Sequence, residues 1–525
     1  MAHGFARAFT IGFLALALAS PSFAAITDPV RVEQGLLAGA NGRSPDVRVY
    51  RGVPFAAPPV GDLRWKAPQP AASWTGVRQA TQFGNACVQP PFPSNGMYKT
   101  APPIGEDCLY LNIWTPAKSA DDRLPVMVWI HGGGFDHGTG AASGYDGENL
   151  ASKGAVVVTI NYRVGVFGFL ALPELTAESP HHASGNCGLL DQIAALEWVR
   201  RNIAAFGGDP TRVTIFGESA GAESVSVLMA SPLARGLFTR AIAESGGAFG
   251  PLPSLADAEK DGEKLAAKLG ATHDVLKTLR AKSAAELLQA SAGDDFNSEV
   301  IVDGWLLPQS VYSIFAEGKQ NDVPILVGNN SDEGTNLLRL NGVATPASFA
   351  DDARKEYGPL AQQFLEAYPP GSSDETATAA NFAAFRDRWF GWNMRIWARL
   401  ETETGHHRAY RYYFSRVPPG PGSRLGAFHG SDLAYVFENF PYRIFYQDVD
   451  KQLGETIATY WVNFARTGNP NGPSVPVWPL YDPEKDNVLD LGDQVSVKYG
   501  VNATGLDFFD TYYRSLRPSP PSQSH

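Results

Sequence analysis

The chain has 525 residues, of which 44% are hydrophobic and 18% charged, an ordinary composition for a globular protein. Its 54 acidic residues against 43 basic ones leave a formal charge of -11. That excess argues against a nucleic-acid partner, whose binders carry a basic patch, and otherwise describes a well-solvated surface.

The N-terminus is the first distinctive segment. Arg7 precedes an apolar run, Ala8 to Ala19, which is followed by Ser20-Pro21-Ser22-Phe23-Ala24. The run is too short to cross a bilayer as a helix, and small residues at Ser22 and Ala24 suit cleavage after Ala24. Residues 1–24 therefore read as a removable secretory signal, and the protein is expected to be secreted or periplasmic. No later stretch reaches the roughly 18 uninterrupted apolar residues of a membrane span. Export makes the three cysteines informative. Cys87 and Cys108 flank a Pro-rich loop, and closing it would stabilise the fold by roughly 3 kcal/mol on chain-entropy grounds. Cys187 is left over; with no His or Lys beside it to activate the thiol, it reads as buried and inert.

Further along, the apolar run Leu124 to Ile130 ends in His131-Gly132-Gly133-Gly134-Phe135, a glycine turn able to offer bare backbone N–H groups to an anion. Ala155 to Tyr162 is nearly all apolar and β-branched, as a strand buried on both faces should be. Asp191 to Phe206 has apolar positions at 193, 196, 199 and 203, one face of a helix. The strand Val213 to Phe216 then delivers Gly217-Glu218-Ser219-Ala220-Gly221, with a helix from about 220 to 230. Strand, sharp turn and helix lift a serine hydroxyl onto a strained tip.

Further β-runs are expected at 240–244, 322–327 and 408–414. Strand–helix alternation on this scale predicts an α/β fold, a mostly parallel sheet with helices on both faces. Residues 25–517 read as one domain, with 255–292 and 346–405 as helical insertions over the sheet and 518–525 as a disordered tail. Ligand crevices in such sheets open at the carboxyl ends of the strands, where both glycine turns lie. Trp389, Trp392 and Trp397 in the second insertion read as core packing, ahead of a role lining a pocket.

A serine hydroxyl needs a base, and the base needs an acid to fix its tautomer; the elbow architecture orders them Ser, acid, His along the chain. After Ser219 come His273, His406, His407, His429 and His525. His429 is favoured by its place in a glycine-rich loop after the last clear strand, with His406 and His407 as rivals. Glu333 follows the strand Val323 to Val327 at a tight turn, and Asp332 and Asp432 compete with it for the role of acid. The pairs His181/His182 and His131/His137 lack the spacing of a hydrolytic zinc site, so neither metal nor organic cofactor is expected.

Several longer motifs occur in order: Glu106-Asp107-Cys108-Leu109-Tyr110-Leu111-Asn112, the HGGGF at 131–135, Asn161-Tyr162-Arg163, Gly188-Leu189-Leu190-Asp191-Gln192, Gly207-Gly208-Asp209-Pro210, GESAG at 217–221, Ser331-Asp332-Glu333-Gly334 and the loop around His429. With them the chain resembles the type-B carboxylesterases of the α/β-hydrolase fold, the group of cholinesterases and bacterial carboxylesterases. The resemblance implies Ser219 as nucleophile, Glu333 as orienting acid and His429 as general base. It implies an oxyanion hole of the Gly133, Gly134 and Ala220 N–H groups, a Cys87–Cys108 disulfide, and structural ion pairs Arg64–Glu106 and Arg163–Asp191. Glu218 and Ser245 match residues close to the family's site. Glu223, just after the elbow, departs as an unusual charge and reads as a solvated helix face.

The function implied is hydrolysis of small-molecule carboxylic esters through an acyl-enzyme on Ser219. A lipase, an amidase or a polyester hydrolase would use the same groups. A lidded lipase is disfavoured, since neither 92–104 nor 346–380 shows a strongly amphipathic helix. A binding domain on this fold would be expected to lack a member of the triad, and all three are present.

Overall fold

Why so much of the middle of this chain is apolar becomes clear from a sheet of 11 strands with a core on each face. The computed structural model describes residue 1 and residues 26–92, 97, 101–293, 296–338 and 343–517. The expected signal at 1–24 and the tail at 518–525 lie outside the described residues. The strands are β1 (Ala40–Asn41), β2 (Arg48–Pro54), β3 (Tyr110–Thr115), β4 (Leu124–Ile130), β5 (Val156–Ile160), β6 (Gly208–Glu218), β7 (Arg240–Glu244), β8 (Ile325–Asn330), β9 (Ala409–Phe414), β10 (Asn487–Leu491) and β11 (Val495–Tyr499). Their spatial order is β1-β2-β3-β5-β4-β6-β7-β8-β9-β10-β11. Neighbours from β5 through β10 run parallel. The strands at the two edges pair antiparallel.

A parallel sheet has both faces covered, so its strands must be apolar throughout. β5 (VVVTI) is buried at every position. Alternate side chains go to opposite cores. Val126, Val128 and Ile130 of β4 join one, and Met127 and Trp129 join the other. The first core also takes Ile193 and Leu196 of helix α1 (Cys187–Asn202), Val225 and Leu228 of α2 (Ala220–Ala230), and Trp392 and Trp397 further on. The second takes Ile457, Trp461 and Phe464 of the helix 448–467. This is the α/β-hydrolase arrangement expected.

Three sequence expectations need correction. The strand read at 213–216 is the end of β6, which starts at Gly208 and includes the Gly-Asp-Pro motif. The strand at 408–414 is followed by β10 and β11, whose five-residue lengths left too little pattern to read. Of the three tryptophans, Trp392 and Trp397 are buried core residues, but Trp389 is 52% exposed. The cause is a π-helical turn, Asp387–Gly391, between the helices α3 (Asp374–Arg386) and α4 (Trp392–Thr404). Extra residues in such a turn rotate the side chains out of the helical register.

The scaffold pairs implied by the resemblance are formed. Cys87 and Cys108 are joined as a disulfide. Arg64 grips Glu106 through Nε and Nη2 at 2.7 and 2.6 Å. Arg163 holds Asp191 through the same two nitrogens, both at 2.7 Å, and its backbone N–H donates to that carboxylate at 3.0 Å. The second pair is fully buried, so its two charges are tolerable there because they meet in bidentate geometry. Cys187 is buried and unpaired, its Sγ 3.4 Å from the Trp65 carbonyl, and burial pushes the thiol up, away from reactivity.

Candidate active site

The carboxyl end of β6 turns sharply into α2 with Ser219 at the corner, at φ 57° and ψ -126°. Few L-residues accept that backbone, and such conformations survive where the surroundings over-determine them. Close packing is the constraint here. A Cβ on Gly221 would come within 2.1 Å of the Ile130 carbonyl oxygen, so α2 can approach β4 only with glycine there. The Ser219 N–H donates to the Glu244 carbonyl at 2.9 Å, tying the corner to β7.

β4 ends beside this corner in the triple-glycine turn. Gly133 has φ +107°, and a Cβ on it would lie 2.2 Å from the His137 carbonyl oxygen. Among the described residues no protein acceptor takes the N–H groups of Gly133, Gly134 or Ala220, which leaves all three available to a ligand. Gly134, Ser219 and Ala220 line a cavity of about 570 Å³. The remaining walls include Phe385, Arg388, Trp389, Phe390 and Asn393 from the second insertion and Tyr512 and Tyr513 from the helix 503–516. That volume suits a small molecule.

Beyond β8, Glu333 is fully buried. Its Oε1 accepts from the Ser245 hydroxyl and from the Asn330 N–H, both at 2.6 Å, and its Oε2 lies 2.7 Å from His429 Nδ1. Ser245 thus anchors the Glu333 carboxylate, a role its sequence match left open. Asp332 points the other way and accepts from the Ala427 N–H at 2.9 Å, tethering the loop that carries the histidine. Asp432 accepts from Asn330 Nδ2 and the Tyr412 hydroxyl, at 3.0 and 3.2 Å. Neither of these rivals is hydrogen-bonded to the ring. His406 is bound to Asp322 at an exposed position instead.

On the other side of the ring, His429 Nε2 lies 3.1 Å from Glu218 Oε1. No hydrogen bond joins it to Ser219 Oγ in this state. Phe390 packs against the imidazole with its ring tilted by 32° and 4.6 Å between centroids, and the Asn336 amide brackets the His429 backbone with two bonds of 3.2 Å. Those two residues, with Glu244 behind the elbow, were missed by the sequence reasoning. Phe390 and Asn336 have no motif of their own; Glu244, at the end of a strand just before Ser245, had only that adjacency.

The pocket behind the elbow is strongly acidic. Burial pushes the Glu218 carboxyl up to about 8 against the pull of His429, and burial holds Asp432 up at about 6. Burial disfavours the charged His429 ring, but the Glu218 and Glu333 carboxylates outweigh that and raise it to about 9. A hydroxyl-bearing strained turn, three unclaimed N–H donors and a carboxylate-oriented imidazole form the equipment for acyl transfer.

The carboxylesterase family model matches residues 27–509. Fumonisin B1 esterase of Sphingopyxis macrogoltabida is 37% identical over 521 residues, covering 95% of this chain and 93% of that protein. Para-nitrobenzyl esterase of Bacillus subtilis (strain 168) is 37% identical over 470 residues, covering 86% of this chain and 92% of that one. A solved structure of PNB esterase superposes with a TM-score of 0.79 at 34% identity, covering 91% of this chain and 99% of that chain. The match to the family across nearly its whole length and the esterase equipment around Ser219 lead to one conclusion: this chain belongs to the carboxylesterase family and is a serine hydrolase of carboxylic esters.

Proposed function

We propose that Ser219 is the nucleophile, His429 the general base and acid, Glu333 the group that orients it, and the Gly133, Gly134 and Ala220 N–H groups the oxyanion hole. The observation that carries this reading is the Glu333–His429 bond beside a strained serine on a cavity floor. In this reading Glu333 accepts the Nδ1 proton as a hydrogen bond, and Nε2 serves as the basic nitrogen. Catalytic hydrogen bonds are often completed only when substrate is bound. In the proposed reaction Nε2 therefore exchanges its Glu218 neighbour for the Ser219 hydroxyl.

Ser219 Oγ attacks the ester carbonyl while Nε2 takes its proton. The carbonyl oxygen becomes an anion held by the three N–H groups, each donor worth about 100- to 1,000-fold in rate in serine hydrolases generally. The imidazolium, stabilised by Glu333, passes its proton to the leaving alcohol. Water then attacks the acyl-enzyme with Nε2 again as base, and the acid departs.

The test is a p-nitrophenyl ester series from acetate to palmitate. Short esters are expected to turn over below their solubility limit, with no jump in rate when the longer ones form aggregates. The helix 346–357 supports that expectation, because its apolar residues Phe349 and Tyr357 are already packed on Phe364. A preference for aggregated long chains would instead identify a lipase.

Glu218 gives a second prediction. The ring must be unprotonated to act as base, and two carboxylates hold it up at about 9. kcat/KM should therefore rise with pH until about that value. Glu218→Gln removes one of those carboxylates, so the rise should finish at lower pH. An unchanged acid limb in the pH profile of the variant would mean that Glu218 does not act on the ring.

A further inference from the structure

The helix that follows the nucleophile carries a charge with no part in the reaction. Glu223 sits four residues after Ser219, one turn along the same side of the chain, and its N–H donates to the Ser219 carbonyl at 2.9 Å. Every other residue of α2 is buried; Glu223 alone is partly exposed. Its exposure is to the substrate cavity, which it lines together with Ser219, Ala220 and Gly134. The sequence reading of a solvated helix face is therefore corrected: the insertion at 346–405 and the C-terminal helix wall in the space that Glu223 faces.

Among the described residues no hydrogen bond or ion pair engages the Glu223 carboxylate. The Arg388 and Asn393 side chains on the same cavity have partners, although Arg388 Nε is left without one. Arg388 is bonded to Glu356 at 2.7 Å and lies over the rings of Tyr357, Trp389 and Tyr512. Asn393 donates to the Trp389 carbonyl and accepts from the Phe249 N–H, at 2.8 and 3.1 Å. Glu223 is thus the carboxylate that lines this cavity without a partner among the described residues. Burial pushes its carboxyl up to about 8, and the Glu299 carboxylate nearby pushes it the same way. A cation brought into the cavity would relieve both effects at once.

Resting on the reading of Ser219 as nucleophile, we infer that Glu223 selects esters whose acyl part carries an ammonium group. The acyl side is indicated because the leaving alcohol takes its proton from His429, which does not line this cavity, whereas Glu223 does. Four residues of helix advance about 6 Å. An ammonium some five bonds from the scissile carbonyl would span that distance.

The experiment compares methyl 5-aminopentanoate with methyl hexanoate, in which a methyl replaces the ammonium, using pH-stat titration. The quantity read is the ratio of the two kcat/KM values. Glu223→Gln should lower that ratio about tenfold or more, as expected for losing one charge-assisted contact in a partly desolvated site. A structural role would move both substrates together and leave the ratio alone. On the unaltered protein, butylammonium should inhibit methyl hexanoate hydrolysis competitively where butanol at the same concentration does not, a result that needs no variant to fold. An equal ratio in both proteins, or equal inhibition by amine and alcohol, would overturn the inference while leaving the esterase intact. Preference for an ammonium in the alcohol part alone would also overturn it. Hydrolysis of neither ester would remove the reading of Ser219, and this inference with it.

Discussion

Ser219→Ala is expected to lower kcat by about 10⁶-fold, with the residual rate supplied by the oxyanion donors and by binding. The size follows from the division of labour at the elbow. In the proposed mechanism no acyl-enzyme forms without Oγ, and His429 has no hydroxyl to deprotonate. The variant keeps the Cβ, so the φ of 57° that the turn imposes is no harder to hold than before. An unchanged melting temperature alongside the lost turnover of p-nitrophenyl acetate would establish Ser219 as the nucleophile. Retention of even one hundredth of the wild-type rate by a folded variant would place the nucleophile elsewhere.

Glu333→Gln should cost about 10⁴-fold in kcat with little change in KM, by comparison with the same change in other serine hydrolases. The amide oxygen can still accept from Ser245 and the Asn330 N–H, so the buried network that holds the residue is kept. The amide nitrogen, however, would face His429 Nδ1 as a donor where a carboxylate oxygen had accepted. The ring would then carry its proton on Nε2, a tautomer that Glu218 Oε1 at 3.1 Å is placed to stabilise. Nε2 would cease to be a base. A variant with near-normal kcat would show that Glu333 neither orients nor charges the ring, and would turn attention to Glu218.

Much of the site could be read in advance, because its parts are written locally. A nucleophile elbow is a short strand–turn–helix whose glycines are demanded by contacts such as that of Gly221 with Ile130. The triple-glycine turn is equally local. Both lie at strand ends where a parallel sheet opens its crevice. The choice among acids was different. Asp332 and Glu333 are adjacent, and position alone left them open; the resemblance implied Glu333, and only tertiary contacts show where each carboxylate points. Glu333 points to the ring and Asp332 to Ala427.

What lay beyond the sequence concerns groups brought together from distant segments. Phe390 reaches the His429 ring because a π-turn interrupts a helix that periodicity reads as continuous. The same turn sends Trp389 to the cavity while Trp392 and Trp397 go to the core. Glu223 looked like a surface charge, since spacing tells which side of a helix a residue occupies and not what closes over that side.

By itself, then, the sequence determined the α/β architecture through its runs of apolar strand residues and intervening helices, and marked the two strand-end turns of the site through glycines such as Gly221 and Gly133, where a Cβ would meet a backbone carbonyl oxygen. Tertiary structure alone decided which carboxylates surround the imidazole and what the cavity offers a substrate. The physical reason is that burial and charge proximity set proton affinities and binding preferences. Both depend on packing between segments more than 100 residues apart, as where Glu223 and Arg388 meet one cavity.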